Sequence, residues 1–186
     1  MKKNIFLTLI SICLITTLSG QKYFTKTGEV SFFSRTNMEN IDAITNSSNC
    51  VLDLATGNVE MAVLVKSFTF EKALMQEHFN ENYMESTKYP KAVFKGNIKN
   101  IGDFNMSYKG SFKGTLEGTI TIHGVTKPFD NVVNLNVKDG KIKADLDFNV
   151  KLAEFDIKVP ALVKDNISKE IKVTVAAMLE EFKTAK

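Results

Sequence analysis

The chain has 186 residues, 44% of them hydrophobic and 24% charged, which is enough for one well-filled core and gives no reason to expect a second domain. Its 24 basic residues include Lys2 and Lys3 of a leader; without those two, 22 basic residues face 21 acidic ones and the net charge is +1, which excludes the basic excess of a nucleic-acid binder. Cysteine is just as limiting, because Cys13 lies in the leader and Cys50 then stands alone, so the mature protein forms no internal disulfide.

Met1-Lys2-Lys3-Asn4 carries positive charge, and Ile5 to Leu18 is an apolar stretch broken only by single Ser, Thr and Cys residues. That is the pattern of a cleaved signal peptide over residues 1–20, too short for a comfortable membrane span. Thr17, Ser19 and Gly20 suit signal peptidase, and Gln21 stands where a lipid-anchored protein would need cysteine. The expected product is one domain over residues 21–186, soluble, periplasmic or secreted, with no later transmembrane segment.

Strand signals fill the rest. Short strands are expected at about residues 29–35, 41–46, 50–55, 58–66, 92–100 and 170–179, with turns at Ser47-Ser48-Asn49, Thr56-Gly57 and Gly102-Asp103. From Tyr108 to Gly124 the even positions are apolar or glycine and the odd ones polar, the period-two mark of a strand with one buried face. Lys141–Leu152 repeats the alternation, and Asp139-Gly140 joins it as a two-residue hairpin to a strand over 129–138 whose inward set is Phe129, Asn131, Val133, Leu135 and Val137. The phase flips across Ala153 and Glu154, which predicts a bulge or sharp bend. Only residues 70–86 break the pattern: Ala73, Leu74, Met75, Phe79 and Tyr83 sit at helical spacing, and a helix here would cross between two halves of a meander and close one end of a barrel.

Taken by strand face, Phe32, Phe94, Ile98, Phe112, Leu116, Ile120, Leu146 and Phe148 are expected to line one interior. Gly110, Gly114 and Gly118 share the apolar face of the longest strand. They either let that strand coil around a small barrel or leave lumen volume for an apolar ligand. Arg35, the only arginine, ends a strand and is a candidate to grip a phosphate or quinone oxygen at a barrel mouth, against the plainer reading of an exposed strand-end charge.

Catalytic chemistry is thinly represented. Glu77, His78, Glu81 and Glu85 share helical spacing but lack the further ligands a transition metal needs, so they read as a solvated helix face. His123 is expected at the surface or in the turn before Gly124. Cys50 alternates with Leu52 and Leu54 and reads as a buried small hydrophobe. Ser34, Ser67 and Ser111 lie in strands without a nucleophile turn, and no glycine loop is placed to cradle a phosphate.

His78-Phe79, the run Tyr89-Pro90-Lys91-Ala92-Val93-Phe94, Gly114-Thr115-Leu116, the run from Ile120 through His123-Gly124 to Pro128, and Phe155-Asp156-Ile157 resemble, in order and spacing, the YceI-like family. Lys151 departs from the arginine that often precedes the last of these motifs. The resemblance implies an all-β, lipocalin-like antiparallel barrel of about eight strands, exported to the periplasm, whose apolar lumen holds polyisoprenoid or quinone-like lipid. The expected function is therefore non-catalytic binding of a long-chain apolar lipid for storage, shielding or transfer, with no cofactor beyond that lipid and with transient membrane contact. The site residues expected for it are the eight lumen side chains above with Gly114, Gly118 and Arg35. The rival reading is a ligand-free packed barrel serving as a stress-related or envelope interaction module.

Overall fold

The computed structural model describes residues 21–183; the leader expected over residues 1–20, Cys13 included, lies outside them. Eight long strands run antiparallel: β1 (Lys22–Arg35), β2 (Asn40–Asp53), β3 (Asn58–Leu64), β5 (Lys91–Ile98), β6 (Ser111–Ile122), β7 (Val125–Lys138), β8 (Lys141–Lys151) and β9 (Glu170–Glu181). A two-residue strand, β4 (Thr69–Phe70), pairs only with the first half of β2. Neighbours follow the order β1-β9-β8-β7-β6-β5-β3-β2, and β2 pairs back onto β1, so each long strand has a partner on both sides and the sheet closes into a barrel.

The alternation read from the sequence is the alternation of burial. In β6, Phe112, Gly114 and Leu116 are buried between exposed Ser111, Lys113, Thr115 and Glu117. Asp139 and Gly140 both take positive φ, 52° and 73°, as the tight β7–β8 hairpin requires. His123 and Gly124 do the same between β6 and β7, with φ of 50° and 76°, so β7 begins at Val125 rather than near Phe129.

One expected turn is absent. Residues 40–53 form a single strand, and Ser47-Ser48-Asn49 is its middle. Ser48 is fully buried and its hydroxyl donates to the carbonyl of Gly28 at 2.8 Å, where the β1–β2 register slips between Thr25 and Val30. A Cβ at Gly28 would run into Ser48 Oγ, so glycine opposite serine marks a bulge that bends both strands. The expected helix is also shorter than residues 70–86: α1 (Ala73–His78) passes into a wider turn over Phe79–Tyr83. The phase flip after β8 is a 3-10 turn, Leu152–Phe155, ending at Asp156 with φ of 54°, which swings Phe155 and Ile157 back into the core.

The two ends of the barrel differ. The connections over residues 54–57, 99–110 and 139–140 close one end over a dense floor that includes Tyr23, Leu52, Ile98, Phe104, Leu135 and Ile142. At the other end, the mouth, lie residues 36–39, a long excursion over 65–90 that contains β4 and α1, and a second excursion over 152–169. The wall thins toward this mouth. Strands β7 and β8 pair only from Asn134 with Asp145 to Lys138 with Lys141. Beyond that they part, with Asn131 Nδ2 donating to the Asp147 carbonyl at 3.1 Å and the Phe129 and Phe148 rings meeting edge to face at 5.0 Å between centroids.

Candidate functional site: an apolar lumen in two chambers

The inward faces of the strands do not fill the barrel. Toward the mouth lies a chamber of about 450 Å3, within the range typical of small-molecule sites, about 300–1,000 Å3. Below it lies an inner chamber of about 140 Å3. Phe68, Ala92 and Ile122 belong to the walls of both, so the two chambers adjoin.

A cluster of phenylalanines forms part of the outer chamber wall. Phe32 of β1 stacks on Phe79 at 5.4 Å, Phe68 lies 5.2 Å from Phe32, and Phe70 lies 5.0 Å from Phe79. Leu152, Ile157, Ile171 and Val173 also line the chamber. Its polar side chains include Ser34, Glu39, Lys72, His78, Tyr83 and Asn166, and several are already engaged. Lys72 Nζ donates to Glu39 Oε1 at 3.4 Å, Asn166 Nδ2 to Glu39 Oε2 at 3.2 Å, and the Ser168 amide to Ser34 Oγ at 2.8 Å. Burial pushes the Tyr83 phenol above its ordinary pKa. The inner chamber carries no charged group and no hydroxyl on its walls, which are formed by Leu52, Phe94, Ile98, Leu116, Leu146, Phe148 and similar side chains.

Of the residues expected from the sequence, Phe32 faces the outer chamber, while Phe94, Ile98, Leu116, Ile120, Leu146 and Phe148 face the inner one. Phe112 is buried but lines neither chamber: it is part of the floor, packed against Phe104 and Tyr108 at 5.3 and 5.7 Å between ring centroids. Gly114 and Gly118 leave no vacant volume. A Cβ on Gly114 would stand 2.7 Å from Ile98 Cγ2 and 3.1 Å from Val133 Cγ1, and one on Gly118 would strike the backbone of Lys95 and Gly96. Gly110 precedes β6 with φ of 103° and is a turn residue. Gly118 permits close strand approach in a tightly coiled barrel, and the space beside Gly114 is taken by the Ile98 and Val133 side chains.

Arg35 does not reach the lumen. The alternation that turns Phe32 and Ser34 inward turns Arg35 outward, 61% exposed, where it pairs with Asp42 at 3.2 Å and lies over the Phe33 ring. His123 is in a turn as expected, but it is buried rather than on the surface. Its Nδ1 lies 3.0 Å from the Phe155 carbonyl and its Nε2 2.9 Å from Glu85 Oε2, so it ties the two mouth excursions together. Glu85 thus belongs to this contact, and among the described residues no group of three His, Cys, Asp or Glu side chains converges as a metal site would.

The sequence reading missed Phe68, Phe70 and Phe79. The Phe68-Thr69-Phe70 alternation is the available signal for the first two, set in an irregular stretch, while Phe79 shows only the helical spacing of its segment. Cys50 lines the inner chamber, and burial pushes its thiol up to about 12. In the folded protein it is expected to resist aqueous thiol reagents for hours at neutral pH and to react stoichiometrically in denaturant. Rapid labelling of native protein, followed by absorbance, would contradict this placement.

The model of the YceI-like domain matches residues 15–179 of this chain. Among solved structures, a polyisoprenoid binding domain from Saccharophagus degradans, implicated in plant cell wall breakdown, is similar at 13% identity and a TM-score of 0.75, over 87% of this chain and 98% of its own. BcnA of Burkholderia cenocepacia is similar at 18% identity and a TM-score of 0.66, over 82% of this chain and 95% of its own. At these identities the likeness is one of fold. No curated protein matches the sequence.

Proposed function

The chain belongs to the YceI-like domain family, and on that premise we propose that it is a non-catalytic carrier of one long apolar lipid, polyisoprenoid or quinone-like. The lipid would be held in the lumen for storage, shielding or transfer in the cell envelope. One observation carries the reading: two chambers lie end to end, and the inner one is walled by apolar side chains alone. A chain entering tail first leaves water at every carbon, at about 25 cal/mol per Å2 of apolar area buried. A polar head cannot follow it, because burying an unpartnered polar group costs a few kcal/mol, so it stays near Glu39, Lys72 and Asn166 at the mouth. The walls offer shape and length without directional contacts, so they select chain class over chemical identity. The polyisoprenoid named for the Saccharophagus degradans domain is consistent with this, and the leader pattern supports placement outside the cytoplasm.

The test uses protein stripped of lipid by unfolding and refolding, then loaded with a fluorescent polyene fatty acid. A polyprenol or quinone with a long isoprenoid tail is expected to displace the probe at least tenfold more effectively than the same head group on a single isoprene unit. Failure of the folded protein to take up the probe, or equal displacement by both competitors, would count against the proposal.

A further inference from the structure

Three separate segments at the mouth each hold a large apolar side chain out in solvent: Met38 is 71% exposed, Leu74 60% and Leu162 99%. The geometry gathers them. Glu39, next to Met38, receives hydrogen bonds from Lys72, two residues before Leu74, and from Asn166, four residues after Leu162. The display is ordered. Thr36 Oγ1 accepts the Met38 and Glu39 amides at 3.1 and 3.0 Å, and the turn bearing Leu162 is closed by the Val163 amide donating to the Pro160 carbonyl at 3.1 Å. The rim is continuous with the lumen, since Leu74 and Val163 form part of the outer chamber wall.

We propose that this rim is a docking surface for a lipid bilayer, with Met38, Leu74 and Leu162 entering the interfacial region so that the mouth opens onto the membrane. The inference rests on the lumen carrying lipid, because an apolar chain that moves between bilayer and lumen gains most when the two apolar phases touch. Charges on the same segments alternate in sign, with Lys72 against Glu39, Lys151 against Glu154 at 3.5 Å, and Lys164 beside Asp165 in sequence. No single sign dominates, so attachment is by apolar insertion and not by attraction to anionic head groups.

The experiment is flotation of detergent-free protein with vesicles of phosphatidylcholine, at low and at high salt. Wild-type protein is expected to float with the vesicles to the same extent at both. The double variant Met38→Asp, Leu162→Asp, whose two positions lie outside the chamber walls, is expected to lose about tenfold or more of that partition while keeping its melting temperature and bound lipid. Flotation unchanged in the double variant overturns the proposal. So does binding that needs anionic lipid and collapses in salt, or a concentration-dependent dimer that the double variant abolishes. Protein that carries lipid but never floats removes the rim and leaves the lumen reading standing; protein that floats but carries no lipid removes the lumen reading and leaves the rim.

Discussion

Gly118→Ala is expected to cost at least about 3 kcal/mol, the upper end of overpacking penalties and beyond, and to yield protein that unfolds or aggregates. Gly118 pairs directly with Gly96 across β5 and β6. An added Cβ would strike the Lys95 carbonyl oxygen and lie 2.5 Å from Gly96 Cα. Both obstacles are backbone, so relief requires separating strands whose pairing runs from Val93 with Thr121 to Ile98 with Leu116. No rotamer change suffices. Gly102→Ala is the matched control, since nothing lies within 4 Å of a Cβ there, and its effect should stay within about 1 kcal/mol. Urea denaturation of the two variants checks the pair. A Gly118→Ala protein as stable as wild type would mean that the strands do not approach this closely.

Ala92→Phe is expected to have the opposite profile, with stability kept and ligand lost. Ala92 lines both chambers, as Phe68 and Ile122 do. A phenyl ring there enters open volume instead of a packed core, so the stability change should be below about 1.5 kcal/mol in either direction. The same ring obstructs the path to the inner chamber, and a long chain then loses the contacts it would make there. Lipid recovered by solvent extraction should fall about tenfold or more. Unchanged lipid content would place the ligand wholly in the outer chamber. A collapse in stability would show that no open volume exists at this junction.

These two sites show what the sequence made legible. Strand phase was readable because period-two burial leaves a direct trace: Phe94, Leu116, Leu146 and Phe148 were assigned to the interior from alternation alone, and they face the inner chamber. The glycine face was legible as a pattern but ambiguous in meaning. Only the distance to the neighbouring strand separates a glycine that makes room from one that permits close approach. Ser47-Ser48-Asn49 resembled a turn because its composition is that of a turn, and its true role appears only with Gly28 opposite. Arg35 drew interest as the lone arginine, yet the same alternation that placed Phe32 inward already turned it out. His123 was hardest to read, since its two partners, Glu85 and Phe155, come from excursions far apart in the chain.

The measurement that bears most directly on the lumen as a lipid site is native mass spectrometry of the wild-type protein, expressed from the full 186-residue sequence in a bacterial host and purified without detergent. A carrier with joined apolar chambers should fly as protein plus one long-chain lipid. The added mass should be released by collisional activation, extractable into organic solvent, and depleted in Ala92→Phe. Folded protein observed only at the mass of the bare chain, with the stripped form taking up no polyisoprenoid from added lipid, would contradict it.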